Sequence, residues 1–222
     1  MDRTTTETLE HRMLHRLVFF TDAVFAIVMT LLVLELRPPH TQDLGELREA
    51  LGGMAGHFVA FAMSFGLIGV FWAAHMNTTR RLLRFDWPTA WMNLVFLFPV
   101  CLMPFASALL GGGLGNAVSW TFYCWVLVGA SAANVALTLV ATRGGGRLVG
   151  GVTPRERLYR VARAASPGLA FGLSLVLANV GQLGIAHWMW LTIPLFMLAA
   201  DLLVKPRAPA PTPVKAPARR KR

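Results

Sequence analysis

Residues 16–36, RLVFFTDAVFAIVMTLLVLEL, form the first long apolar run of this 222-residue chain and decide how the chain folds. At a rise of 1.5 Å per residue, a helix of this length is about long enough to cross a hydrocarbon core of roughly 30 Å. The run nevertheless contains two acids and an arginine, which a simple membrane anchor does not need. The sequence therefore predicts a membrane-spanning helix that does more than anchor the chain.

One side of this helix is a narrow aliphatic stripe. Ile27, Leu31 and Leu34 follow the i, i+4, i+7 spacing that brings side chains onto one face, and Thr30 lies at the edge of that face. Asp22 points to roughly the opposite side, where we expect it to face other protein helices, because an ionised carboxylate in lipid is costly. The plain alternative is that the stripe simply faces lipid or a neighbouring helix.

The composition places the whole chain in a membrane. Apolar residues make up 55% of it and charged residues only 14%, which is too apolar for a soluble domain of ordinary composition. The formal net charge of +10 arises in short loops and a tail between apolar runs, so the membrane accounts for it without nucleic acid binding. Cys101 and Cys124 both lie within apolar runs, where cysteine behaves as a small hydrophobic residue.

Six apolar runs predict an all-α integral membrane protein with six transmembrane helices. Residues 1–204 form the transmembrane domain, with a mildly acidic loop at 37–52 after the first span. The proline-rich, basic tail at 205–222 is predicted to be disordered. The predicted spans are about 17–36, 53–75, 88–110, 117–142, 164–186 and 187–204, the last two separated by almost no loop.

The distribution of basic residues predicts the orientation. Arginines concentrate in the loops after the second and fourth spans, and the tail is basic, so the positive-inside rule places both termini in the cytoplasm. Arg157, Arg160 and Arg163 recur at every third residue, as in a voltage sensor, but they precede the fifth span instead of lying within it. A cytoplasmic loop is the simpler interpretation.

Polar residues of the first two spans lie at matching depths. Thr21 and Asp22 are near the cytoplasmic end of the first helix, and Trp72 and His75 share a face near the cytoplasmic end of the second. Because unpaired polar groups are costly in a membrane, we predict that these four side chains and Arg16 form a hydrogen-bonded network behind the stripe. The alternative is an interfacial tryptophan and a histidine that reaches the headgroups.

A motif in the first helix resembles that of a known family. Arg16, Phe20, Thr21 and Asp22 read R-x-x-x-F-T-D, which is similar to the R-x-x-x-F-S-D signature that opens the first helix of the transmembrane protein 175 family of potassium channels. The apolar sequence that follows also resembles that first helix. Thr21 replaces the usual serine but keeps the hydroxyl group.

Further elements extend the resemblance over roughly residues 12–110. The segment from Phe71 to His75 resembles the W-x-x-H of the family's second helix. In the third span, Trp91-x-Asn93-Leu94 and Pro104-Phe105 are similar to the family's N-L-x-x-L and P-F elements. Beyond residue 110 only the number of spans agrees with the family.

The resemblance implies a non-canonical potassium channel, a homotetramer in a bacterial cell membrane whose four first helices line the pore. Ile27, Leu31 and Leu34 would then form hydrophobic rings, with Ile27 as the narrowest point and the hydroxyl of Thr30 beside it. Glu35, at the extracellular end, would attract cations, or would simply be a solvated helix end. The sequence contains no T-V-G-Y-G filter, so selection would come from the constriction.

The same reasoning implies no cofactor, and no metal other than potassium ions in transit. The expected partners are the lipid bilayer, potassium ions and other copies of the chain, and nucleic acid is not among them. His11 and His15 are four residues apart, but on a polar helix beside the membrane we expect them to be solvated.

Three other functions are alternatives to a channel. A small secondary transporter would place polar residues at broken helices near the midplane, whereas the polar residues of these spans are scattered: Ser64, Asn134, Ser174, Asn179 and Gln182. An enzyme would need a nucleophile beside a base, or a metal cluster, and the sequence shows neither pattern. A non-conducting structural membrane protein remains the third alternative.

Overall fold

A computed structural model describes residues 3–41 and 43–205, with side chains from Leu9 onward. Every regular element in this part of the chain is helical. The helices are α1 (Arg3–Leu31), α2 (Leu44–Gly53), α3 (Ala55–Thr79), α4 (Trp87–Cys101), α5 (Met103–Gly111), α6 (Ala117–Ala141), α7 (Arg143–Gly146), α8 (Pro154–Asn179), α9 (Leu183–Ala186) and α10 (Ile193–Val204), with 3₁₀ turns at Leu32–Glu35, Arg147–Val149 and Met189–Thr192.

Five helical stretches are long and apolar enough to cross a membrane, and a sixth apolar stretch is shorter. At 1.5 Å per residue, the 25 to 27 residues of each long stretch match a hydrocarbon core of roughly 30 Å. The prediction of an all-α membrane protein is confirmed. The five long stretches are Leu9–Glu35, Ala55–Thr79, Trp87–Gly111, Ala117–Ala141 and Pro154–Asn179, and the shorter one is Met189–Val204.

The third span consists of two helices, α4 and α5, that meet at Leu102. Pro104, in the first turn of α5, has no amide hydrogen to donate to the carbonyl one turn earlier, so the α-helical ladder is interrupted there. The amide of Leu102 instead donates to the carbonyl of Pro99 at 3.2 Å. The proline that sequence analysis noted in this span thus marks a break in the helix.

The helix α8, which forms the fifth long span, differs at both ends from the predicted span at 164–186. It begins at Pro154, where the hydroxyl of Thr153 caps it by accepting from the amide of Glu156, so its first turns carry the arginines that were expected in a loop. It ends at Asn179, because Gly181 adopts a left-handed conformation with φ of 81°. Hydropathy follows only the apolar part of this helix and does not detect a break inside an apolar run.

The segment 37–52, which is predicted to be a loop, contains most of the helix α2. Asp43 caps α2, since its Oδ1 accepts from the amides of Gly45 at 2.8 Å and Glu46 at 3.0 Å. None of the residues of α2 is buried. The cap stabilises the first turn of a helix that buries none of its residues.

The interior of the protomer is filled with large side chains. Trp120, Tyr123, Phe71, Phe96 and Phe171 are almost completely buried, and α6 packs along α8 and α4. Two hydrogen bonds pair polar groups in this interior, where an unpaired group is costly: the indole of Trp120 donates to the hydroxyl of Ser174 at 2.8 Å, and Ser64 bonds Tyr123 at 3.0 Å. The centre of one chain is therefore a packed core.

The predicted disordered tail at 205–222 lies outside the described residues, apart from Lys205, which follows α10 directly.

Candidate functional site

The first helix buries one face and leaves another exposed. Phe25, Val28 and Leu32, which are 1%, 3% and 0% exposed, form the buried face, and α1 packs against α3, α4 and α5. The opposite face carries the predicted stripe, in which Ile27 is 57% exposed and Leu34 is 67% exposed. A single protomer therefore leaves the stripe open to lipid or to another chain.

This helix is also the most peripheral of the long spans. Only 22% of its apolar window is buried within the protomer, against 28% to 56% for the other four. Leu31 and Thr30 are exposed beside Ile27. The Oγ1 of Thr30 donates to the carbonyl of Ile27 at 2.8 Å, which leaves the lone pairs of the hydroxyl available to a cation.

Asp22 is held by the second span. The indole Nε1 of Trp72 donates to Oδ1 of Asp22 at 2.9 Å, joining α1 to α3. Both side chains are exposed in the single chain, and Trp72 is 37% exposed. The two residues that sequence analysis placed at the same depth are thus brought together.

A second chain of hydrogen bonds connects three helices. Thr21 donates its hydroxyl proton to the carbonyl of Leu17 at 2.9 Å and accepts from Nδ2 of Asn93 at 2.8 Å. Oδ1 of Asn93 lies 2.6 Å from Nε2 of His75. Thr21, Asn93 and His75 are buried, and the imidazole of His75 stacks on the ring of Phe96 with 5.3 Å between centroids. The amide of Asn93 therefore links α1 and α3 through α4.

The structure groups the predicted network differently from the prediction. Its members form two separate sets, Asp22 with Trp72 and Thr21 with His75, and the second set requires Asn93. Arg16 is exposed and makes no hydrogen bond or ion pair among the described residues. Phe20 is also exposed, at 48%. The signal that pointed to Asn93 was present: an amide in an apolar helix, at the depth of His75.

Glu35 ends the 3₁₀ turn that continues α1. It shares a cavity of about 360 Å³ with Arg37 and His57. The nearby guanidinium opposes the field of the carboxylate, which reduces the attraction that Glu35 alone exerts on a cation.

The α1 face offers few groups to a ligand. It presents branched aliphatic side chains and one hydroxyl group, and such a surface can admit or exclude water but gives an ion little coordination. Where side chains are described, at residues 9–41 and 43–205, no three His, Cys, Asp or Glu side chains are grouped as in a metal site.

Comparison with known proteins identifies relatives of the chain. The sequence profile of a family described as "Endosomal/lysosomal potassium channel TMEM175" matches residues 16–104. A potassium channel of Streptomyces collinus is 32% identical over 170 residues, which cover 74% of this chain and 82% of that protein. The endosomal/lysosomal proton channel TMEM175 of Bos taurus is 28% identical over 212 residues, and the match covers 86% of this chain but only 43% of that protein.

The fold has a counterpart among solved structures. The crystal structure of a lysosomal potassium-selective channel TMEM175 homolog from Chamaesiphon minutus superposes with a TM-score of 0.71 at 22% identity, covering 86% of this chain and 99% of that one. At this level of identity the similarity establishes the fold.

Proposed function

The chain belongs to the TMEM175 family, and from this premise we propose that it forms a potassium-permeable cation channel. The observation that carries the proposal is the exposed aliphatic stripe on the most peripheral membrane helix. A helix that lines a pore between subunits must lie at the edge of its own protomer. Its pore face must also remain uncovered until other copies assemble around it.

The conduction path in this proposal lies between chains. Four copies place their α1 helices around a common axis, with the packed core of each protomer outside it. The large buried side chains that fill the protomer, such as Trp120 and Phe96, support an intersubunit pore. Closed cyclic symmetry is the usual arrangement of soluble homo-oligomers, and we extend it to this membrane protein.

Ile27 forms the constriction. Four branched aliphatic side chains at one level make a ring that expels water when it is narrow and admits water after a small dilation. Leu31 and Leu34 form further rings on the same face. The outward lone pairs of Thr30 provide the nearest oxygen atoms to a passing ion.

Selectivity for potassium over sodium is modest in this mechanism. The sequence has no T-V-G-Y-G filter, so carbonyl oxygens do not replace the hydration shell of the ion. A ring of isoleucines distinguishes ions by the cost of narrowing their hydration shells, and contributes no coordination of its own. Glu35 contributes at most a weak attraction, because Arg37 lines the same cavity.

The two hydrogen-bonded sets fix the rotation of the pore helix. Trp72 holds Asp22, and Asn93 holds Thr21 together with His75. These bonds lie on the side of α1 away from Ile27. They keep the stripe directed at the axis, since a rotated helix would leave polar groups unpaired in the membrane.

The chain is a multi-pass membrane protein, and its family is one of ion channels, which argues against an enzyme. We place it in a bacterial cell membrane with both termini in the cytoplasm. The arginine-rich segments after α3 and α6 support that orientation.

Potassium flux into proteoliposomes tests the proposal. With a higher potassium concentration outside the vesicles, vesicles that contain the protein should take up potassium faster than vesicles without it. Valinomycin, added at the end of each run, should bring both kinds of vesicle to the same potassium content. Absence of flux at verified incorporation would contradict the proposal and favour a structural role. Flux that depends on the gradient of a second solute would favour a transporter.

A further inference from the structure

A second site lies between α3, α8 and α10, away from the pore helix. It is a cavity of about 550 Å³, within the range of roughly 300 to 1,000 Å³ that is usual for ligand pockets. The charges around it are strongly unbalanced. Its lining includes Arg80, Arg81, Arg160, Arg163 and Lys205, with Glu156 as the one carboxylate.

Carboxylates neutralise only part of this positive charge. A single oxygen of Glu156 is shared by two guanidinium groups, those of Arg81 at 3.2 Å and Arg160 at 2.5 Å. Arg163 is paired with Asp201 at 2.6 Å. One carboxylate shared by two cations leaves a net positive charge, and the remaining donors of each planar guanidinium stay free for another acceptor.

Two cations of the cavity have no acidic partner. Among the side chains described, those of residues 9–41 and 43–205, no carboxylate lies within ion-pair distance of Arg80 or Lys205. Both side chains are exposed. They are therefore available to an anion that enters between the helix ends.

The cavity changes from charged to apolar along the helices. Its cations lie toward the end of α3, the beginning of α8 and the end of α10, which are close together, as shown by the bond from Nε of Arg155 to the carbonyl of Val204 at 3.4 Å. Val70 and Met197 line it further into the spans. Oδ1 of Asn134, also in the lining, is buried without a hydrogen-bond partner in the described chain, so a water molecule or another polar group has room to bind there.

We propose that this cavity binds a phosphate-bearing anion, with the phosphate between Arg80, Lys205 and the paired arginines. Arginine recognises phosphate through two parallel N–H donors, and basic pockets between membrane helices bind lipid phosphates in the same way. The apolar inner wall fits the acyl chain of a phospholipid, whereas a free phosphate would use the cationic end alone. The binding does not depend on ion conduction.

A ligand in this cavity contacts α3, the helix that holds α1 through the bond between Trp72 and Asp22. Ala73, Ala74 and Asn77 of α3 line the cavity, and Trp72 and His75 on the same turns bond α1 and α4. An occupant of the cavity would therefore contact the same helix that bonds α1.

Native mass spectrometry of the full-length protein in a neutral detergent tests the proposal. Phosphatidic acid, phosphatidylcholine and inorganic phosphate are the probes. The test variant is Arg80→Gln with Lys205→Gln, which removes the two unpaired cations. The control is Arg84→Gln with Arg157→Gln, which removes the same charge from the same end of the molecule but outside the cavity lining.

Phosphatidic acid should bind the unaltered protein in preference to phosphatidylcholine, and the test variant should lose about tenfold in affinity while the control stays within about twofold. If inorganic phosphate displaces the lipid, the cationic end suffices and the ligand includes soluble phosphates. If it does not, the acyl chain contributes and the ligand is the lipid. Equal binding to the test variant and the control, or no preference for phosphatidic acid, would overturn the proposal.

Discussion

The hydroxyl of Thr21 forms two hydrogen bonds at one point of α1. It donates to the carbonyl of Leu17 in its own helix and accepts from Asn93 in α4. A threonine in a helix commonly bonds the carbonyl four residues earlier, and the free lone pair then serves a neighbour. Serine would offer the same oxygen, so the resemblance to a serine-containing motif and the geometry of Thr21 are compatible.

Replacing Asn93 should destabilise the fold more than replacing an asparagine outside the network. Asn93→Ala removes the partner of both Thr21 and His75 in a buried site, which we expect to cost about 1–2 kcal/mol in the free energy of unfolding. Asn77→Ala is the control, since Asn77 is exposed and bonds only its own helix at Ala73; it should cost below about 0.5 kcal/mol. Unfolding by titration with sodium dodecyl sulfate measures the free energy of unfolding of each variant. Equal decreases for Asn93→Ala and Asn77→Ala would show that the interhelical bonds of Asn93 add no measurable stability.

Sequence reasoning could identify the polar residues of this site but could not assign their partners. The matching depth of Asp22 and Trp72 followed from counting residues along two spans. The separate pairing of Thr21 with Asn93 depends on how α4 is rotated against α1, and hydropathy does not specify that rotation. Arg16 entered the predicted network by its position in a motif, while its side chain is exposed in the structure.

At the scale of the elements, α8 shows how a proline is accommodated inside a membrane helix. Pro167 interrupts the hydrogen-bond ladder. The hydroxyl of Ser131 in α6 accepts from the amide of Gly168 at 2.9 Å and donates to the carbonyl of Ala164 at 2.9 Å. An uninterrupted helix would join those two backbone groups directly. The close approach of α6 to α8 therefore also supplies hydrogen-bond partners for the backbone groups of α8 near Pro167.

Adding a methyl group at Gly168 should break this contact. A Cβ there would lie 2.6 Å from Oγ of Ser131, so Gly168→Ala should cost about 1–3 kcal/mol through overpacking. Gly172→Ala, one turn later, meets no atom within 4 Å and should be neutral or slightly stabilising, because alanine favours the helix. Thermal unfolding of the purified protein in detergent compares the two. A harmless Gly168→Ala would mean that α6 and α8 are not tightly joined there.

The apolar helices could be predicted from sequence, and their ends only in part. Composition and length predict a span around residues 117–142, and α6 occupies Ala117–Ala141. The early end of α8 depends on one left-handed glycine, Gly181, within an otherwise apolar run. The helix α2 depends on the cap by Asp43, a local signal at the start of a helix that buries none of its residues.

At the scale of the whole molecule, a single chain leaves its proposed pore face uncovered. Its core is filled, and its least buried long helix carries an uncovered aliphatic stripe. Lipid could cover that stripe, but a helix face that contacts only lipid does not need a fixed rotation. Two sets of interhelical hydrogen bonds fix the rotation of α1. Assembly around the stripe accounts for both features.

The assembly should contain four chains. Native mass spectrometry from a mild detergent should show a dominant mass four times that of the 24.3 kDa chain. Dilution should yield monomers more readily for Leu31→Glu than for the unaltered protein, because four carboxylates facing one axis repel each other and are costly to desolvate. A dominant dimer, or a chain that stays monomeric at every concentration, would contradict the tetramer.

The most direct test of the pore helix compares potassium flux into proteoliposomes for Ile27→Asn and Val33→Asn. Both residues are exposed aliphatic positions of the first span, but Val33 lies off the stripe. Ile27→Asn should hydrate the constriction, raise flux by about tenfold, which corresponds to about 1.4 kcal/mol off the barrier, and weaken discrimination against sodium. Val33→Asn should leave both quantities near those of the unaltered protein. Equal effects at the two positions, or none at Ile27, would contradict a pore constricted by this face of α1.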